Sequence, residues 1–137
     1  MEWKIWCREH KLAGTIDLIA KKEDGTYAIY DWKRTKHCIR KEEDNWGRTG
    51  CFPITHVYDN RYFRYALQLN MYRKILQDNY NGYTVSSLYT VRFHPNAVYK
   101  SFELVEMEIM EREVELILHH RIQPGLLSGV NMLFLMF

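Results

Sequence analysis

The stretch from Gly14 to Lys36, GTIDLIAKKEDGTYAIYDWKRTK, restricts the fold more than any other part of this 137-residue chain. Its two apolar runs, IDLIA and YAIYDW, flank Lys22-Glu23-Asp24-Gly25. Asp-Gly supplies the positive backbone angles that a tight turn needs between twisted strands, so the pattern predicts a β-hairpin. Side chains alternate along a strand, which puts Ile29, Asp31 and Lys33 on one face and Ala28, Tyr30 and Trp32 on the other. With the hairpin closed near Asp24-Gly25, Asp17 on the first strand stands level with Asp31 to Lys33. Two carboxylates and an ammonium are therefore expected to converge. A same-face ion pair on an exposed strand is commonplace and contributes at most about 1 kcal/mol. These acids, however, lie inside apolar runs, where an unpaired carboxylate is costly unless it meets a cation or a metal. Two acids with one lysine suit a hard-cation site.

Further along, Gln68 and Tyr72 are i,i+4 partners on a segment whose Tyr65, Leu69, Tyr72 and Leu76 mark the buried stripe of an amphipathic helix. Asp59 or Asn60 can cap that helix and Asn81-Gly82 can end it. Gly14-x-x-Asp17, Asp31-x-Lys33 and Gln68-x-x-x-Tyr72, in that order on two adjacent strands and a following helix, resemble the motifs of the PD-(D/E)XK nuclease superfamily. The segments GTIDLI, YDWKRTK and YALQLNMY are most similar to its RecB and Cas4-type branch, and the resemblance covers roughly residues 2 to 95.

The resemblance implies a restriction-endonuclease-like α/β core and metal-dependent hydrolysis of DNA phosphodiesters, in repair or recombination. Asp17, Asp31 and the backbone carbonyl of Trp32 would hold Mg2+, with Mn2+ as a substitute, and room for a second ion is left open. Lys33 would position or help deprotonate the attacking water. Gln68 and Tyr72 would lie beside the catalytic centre and help hold the DNA strand. A helicase or other partner chain is a further expected associate. Family members usually carry a helix ahead of the first strand, often with another Glu or His near the metal. This chain starts at the first strand, so that element is expected to be missing or to come from elsewhere. The alternative is an inactive or partner-dependent nucleic-acid-binding module with the nuclease fold.

A single domain is expected at this length, with a hydrophobic share of 47% arguing against disorder. The net charge of +2 is small but unevenly placed. Lys33 to Lys41 holds five basic residues and no acid, and Arg34 and Lys36 stand next to the proposed site as candidate substrate contacts. Arg61, Arg64, Arg73 and Lys74 follow before the helix meets its first acid, Asp78, whereas Ser101 to Arg121 has six glutamates against two arginines. Clustered Lys and Arg attract a phosphate backbone, so the basic side is expected to face DNA.

Cys7, Cys38 and Cys51 form no Cys-x-x-Cys pair, which disfavours a disulfide framework and points to a reducing, intracellular setting, cytoplasm or nucleus. Some relatives in the resembling family hold an iron–sulfur cluster on four cysteines; three cannot fill that site, and none is expected. His37, Cys38, Cys51 and His56 fit no standard zinc spacing. Glu2-Trp3-Lys4 leads into an alternating strand rather than an apolar leader, and Val130 to Phe137 is too short to span a bilayer, so no membrane is expected.

Elsewhere, Glu2 to Glu9 reads as a strand, Leu12 to Ala20 as one continuous strand, and residues 37 to 58 as a long functional or mobile loop in which Trp46, Arg48 and His56 could touch substrate. Thr84 to Phe93 reads as a strand reached by a parallel crossover. Met107, Met110, Val114, Ile117 and Arg121 trace a C-terminal helix over about 103 to 121, ended by Pro124-Gly125 and followed by an apolar tail, 124 to 137. The expected architecture is an antiparallel meander plus a crossover strand, in a mixed sheet flanked by helices.

Overall fold

In the computed structural model, which describes residues 2–43, 45–95 and 101–121, the alternation at the start of the chain builds strand β1 (Trp3–Cys7), with Ile5 and Cys7 buried and Trp6 exposed. It pairs antiparallel with β2 (Leu12–Ile16), Trp3 opposite Ile16. Strand β3 (Leu18–Lys21) then pairs antiparallel with β4 (Tyr27–Arg34) through the Asp-Gly turn. Gly25 takes φ +85° there, a region glycine enters without a Cβ clash. The single strand expected over Leu12 to Ala20 is thus broken at Asp17. Ile16 completes the ladder with β1, Leu18 opens a second ladder with Tyr30, and the chain changes sheets between them.

Helix α1 (Arg61–Asn79) follows the loop, its first turn capped by Asn60, whose side-chain oxygen accepts from the Phe63 N–H at 3.0 Å. It returns the chain to β5 (Val85–Phe93), which runs parallel to β4 with Asp31 beside Thr90. The crossover strand is where the sequence puts it.

The expected helix over 103 to 121 is corrected. Residues Phe102–Met107 form strand β6, antiparallel to β5, and the helix α2 spans only Glu111–Arg121. Phe102, Leu104 and Glu106 alternate with Glu103, Val105 and Met107, so the segment satisfies a period of two as well. Pairing with β5 overrides the helix preference of its glutamates. The result is a mixed α/β fold with a four-stranded sheet, β3-β4-β5-β6, beside the two-stranded β1-β2 sheet. The tail from 124 to 137 and the Pro124-Gly125 stop lie outside the described residues. No helix among the described residues is long and apolar enough to cross a membrane.

One face of α1 packs on the sheet, where Leu67, Leu69 and Leu76 join Ile29, Leu88 and Met107 in the core. The long loop is less free than its composition suggests, because Ile39, Ile54 and Val57 are buried in that same core. At the β6–α2 join, Asn70 of α1 is buried and fully engaged. Its amide nitrogen donates to the Ala66 and Glu108 carbonyls and its oxygen accepts from the Met110 N–H at 2.7 Å.

The basic and acidic halves of the sequence turn towards each other. Lys41 pairs with Glu108, Arg73 with Glu111, Lys74 with Glu115, Arg92 with Glu103 and His56 with Glu113. Arg61 and Arg64 meet Glu43 and Asp59. Much of the charge expected to face DNA is therefore matched within the chain.

Asn70→Ala should lower unfolding stability by about 1–3 kcal/mol, since it strands the Met110 N–H and the Glu108 carbonyl in the interior. Urea denaturation checks this; an unchanged midpoint would mean that those groups find water.

Candidate functional site

Strand alternation and hairpin register bring the residues of the three motifs together. Asp31 is 5% exposed on the face of β4 that meets α1. Lys33, two residues on, places its Nζ 2.9 Å from Asp31 Oδ2. The same ammonium donates to Gln68 Oε1 at 3.0 Å and lies 4.9 Å from the centroid of the Tyr65 ring. Gln68 in turn donates from Nε2 to the Tyr72 hydroxyl at 2.9 Å. An ammonium can only donate, so it fixes the amide orientation of Gln68, and the amide presents its N–H to Tyr72.

Asp17 sits at the sheet switch, half-buried, and its Oδ2 accepts from the Trp32 N–H at 2.9 Å. That bond has a structural cause. The β3 ladder stops at Leu18 opposite Tyr30, so from Asp31 to Arg34 strand β4 has β5 on one side and no described ladder partner on the other. The Asp17 carboxylate takes over the N–H that β3 leaves unpaired. The N–H and C=O of one strand residue leave by the same edge, so the Trp32 carbonyl opens on Asp17's side.

Gly14 supplies the remaining element. A Cβ at this position would stand 2.3 Å from Cε1 of Tyr72, so only glycine lets the tyrosine ring lie against β2. The Gly14-x-x-Asp17 spacing thus combines a seat for the helix with a carboxylate at the sheet switch.

Burial pushes the Asp31 carboxyl above its usual range; Lys33 opposes the shift and the Asp17 carboxylate reinforces it. Burial also raises Tyr72, helped by the negative charge of Asp31, so its hydroxyl keeps its proton while accepting from Gln68. One buried oxygen remains without a partner: Thr90 Oγ1, beside Asp31 in the β4–β5 register, has no hydrogen-bond partner among the described residues, whereas Asp31 Oδ2 is met by the Lys33 ammonium at 2.9 Å. A buried hydroxyl of this kind suits a bound water. No cluster of three His, Cys, Asp or Glu is found among the described residues. Two carboxylates and a carbonyl nevertheless fit Mg2+, which retains several waters and needs few protein ligands.

Arg34 and Lys36 stand apart from this cluster. By alternation Arg34 projects from the opposite face, where its Nη2 donates to the Pro95 carbonyl at 3.1 Å, and Lys36 is exposed beyond the strand end. His56 is engaged with Glu113, and Cys38 and Cys51 are exposed. Two contributors escaped the sequence reading. Tyr65 reads as core, although its position three residues before Gln68 puts it on the same helix face. Thr90 carries no signal, because only the β4–β5 register sets it beside Asp31.

Searches against protein-family profiles, curated proteins and solved structures found no match.

Gly14→Ala should displace the Tyr72 ring and cost about 1–3 kcal/mol of stability, the range for overpacking a filled interior, with Gly14→Ala/Tyr72→Leu recovering part of the loss in a urea double-mutant cycle. Asp31 binds its proton more tightly folded than unfolded. Its contribution to metal-free stability is therefore fully present below about pH 3.8 and is lost as pH rises through the elevated folded value. Asp31→Asn should flatten that part of the Tm–pH profile. At neutral pH, Mg2+ should raise Tm in the parent protein and not in Asp31→Asn.

Proposed function

We propose that the chain is a metal-dependent phosphodiesterase of the PD-(D/E)XK nuclease type, with a restriction-endonuclease-like core closest to the RecB and Cas4-type branch, acting on DNA. The observation that carries this reading is that residues from all three motifs stand together: Asp31, Lys33, Gln68 and Tyr72 form one chain of contacts, and Asp17 is hydrogen-bonded to the backbone of Trp32 between Asp31 and Lys33. Asp17, Asp31 and the Trp32 carbonyl would hold Mg2+ or Mn2+. When bound, the ion supplies Lewis-acid polarisation of a phosphoryl oxygen and a more acidic water.

The chain's own residues then have separable tasks. Asp31 and Asp17 present negative oxygens at the open edge of β4. Lys33, held on one side by Asp31 and on the other by Gln68, offers a positioned cation to an attacking water and to charge developing on the phosphate. Gln68 and Tyr65 fix where that ammonium stands, which matters because misplacement by about 1 Å can reduce a rate 100-fold. Tyr72, protonated, keeps an O–H to donate towards the strand being cut.

A second reading, a DNA-binding module that cuts only with a partner or not at all, is favoured by two facts. No third acidic or imidazole ligand joins the two carboxylates among the described residues, and the basic residues of α1 are matched by internal acids.

The purified chain should cleave plasmid or linear DNA with Mg2+ or Mn2+ and stop in excess chelator. Lys33→Ala should lose at least 100-fold in rate with DNA binding largely retained, because its cation acts mainly in the transition state. Asp31→Asn should lose cleavage and the metal-induced rise in Tm together. Folded protein that binds DNA yet leaves it intact with either metal would favour the module.

A further inference from the structure

The sheet face opposite α1 carries a row of rings that the proposed chemistry does not use. Trp32 on β4, Phe93 on β5 and Phe102 on β6 are 44%, 41% and 63% exposed. Their centroids step by 6.1 Å from Trp32 to Phe93 and again by 6.1 Å to Phe102, with interplanar angles of 61° and 49°. Rings so tilted do not stack on one another, and each keeps part of its surface exposed.

The charge around the row is asymmetric. Arg34 follows Trp32 by two residues on the same face, in register with Phe93, and Lys36 lies just beyond. The acid on this face of β6, Glu106, is four residues from Phe102, a separation of about 13 Å along a strand. Aromatic surface flanked by Arg34 and Lys36 matches a polynucleotide, whose bases stack while its phosphates pair with Arg and Lys. Ring spacing favours a single strand. Stacked bases in a duplex rise by about 3.4 Å and hide their faces, whereas unstacked bases can each take one ring.

We propose that this face binds single-stranded DNA and leads it around the open edge of β4 to Asp17, Asp31 and Lys33 on the other side. The Trp32 backbone joins the two regions, because its N–H meets Asp17 while its side chain stands in the aromatic row. The proposal deepens the hydrolase reading and rests on it for the destination of the strand; binding itself is measured separately.

Fluorescence anisotropy of a labelled oligothymidylate in excess chelator, with its oligoadenylate duplex and an oligouridylate as comparators, tests the face on the full chain. Single-stranded DNA should bind more tightly than the duplex. Phe93→Ala and Phe102→Ala should each weaken it by roughly tenfold without lowering Tm, and Phe102→Trp should retain it. Equal affinity for single strand and duplex, or alanine variants that bind like the parent, would overturn the proposal. So would tighter ring-dependent binding of oligouridylate. Self-association in sedimentation that Phe102→Ala abolishes while DNA affinity stays unchanged would make the face a protein interface instead. Metal-dependent cleavage by a chain indifferent to Phe93 and Phe102 would sink the platform and spare the hydrolase; ring-dependent binding without cleavage under any divalent metal would do the reverse.

Discussion

A carboxylate withdrawn from water into the side of a β-sheet is the constraint on which the rest of this structure turns. Asp31 is nearly inaccessible, and a charge in that setting is tolerated only beside a counter-charge that is itself held in place. Lys33 provides it from the same face of the same strand. The ammonium must then be steadied, and α1 does this with Gln68 and the ring of Tyr65. The helix can approach that closely because Gly14 leaves space for Tyr72. Hairpin, helix and β2 are thus coupled through one ion pair. Disturbing any of them acts on the charge at the centre, so a variant in this region changes stability as well as site geometry, and both are measured on the same variant.

The pairing of the basic middle of the chain with its acidic C-terminal part has a different character. Most of these ion pairs are at least partly exposed, and each contributes little to stability. Together they hold β6 and α2 against α1 and the loop, and they remove cations from the set available to a phosphate backbone. Exposed positive charge remains at and just past the end of β4, at Arg34, Lys36 and Arg40, with Arg34 also donating to the Pro95 carbonyl. Under the proposed function, a chain arranged this way would draw its affinity for DNA less from a broad electrostatic surface than from local contacts, and its binding should depend weakly on salt compared with that of a strongly basic protein.

Much of the site was legible in the sequence because it depends on short-range regularities. A period of two fixes which residues of YAIYDWKR share a face, Asp-Gly fixes the hairpin register, and i,i+4 spacing fixes the common direction of Gln68 and Tyr72. What escaped depends on partners distant in sequence. The break at Asp17 is set by where two different ladders end, and Thr90 matters only through the parallel register with β4. FELVEM satisfies both a strand and the start of a glutamate-rich helix, and only the free edge of β5 decides between them. The charge asymmetry was visible, but whether opposite charges face a ligand or each other is a property of the packed chain.

The end of β4 combines these effects. A strand that outlasts its neighbour leaves backbone groups unpaired along an edge, which proteins ordinarily blunt or cover because it invites other strands. Here the first such N–H, that of Trp32, is taken by a carboxylate rather than by another backbone. This substitution satisfies the edge without extending the sheet, and it holds Asp17 beside Asp31 at the point where the chain passes from one sheet to the other. Among the described residues the edge beyond Leu18 thus carries no further strand, with the Asp17 carboxylate on it, the Lys33 ammonium on one face and an aromatic row on the other. Under the proposed function, an anionic strand crossing this rim would set a phosphate opposite Lys33 and bases against the rings.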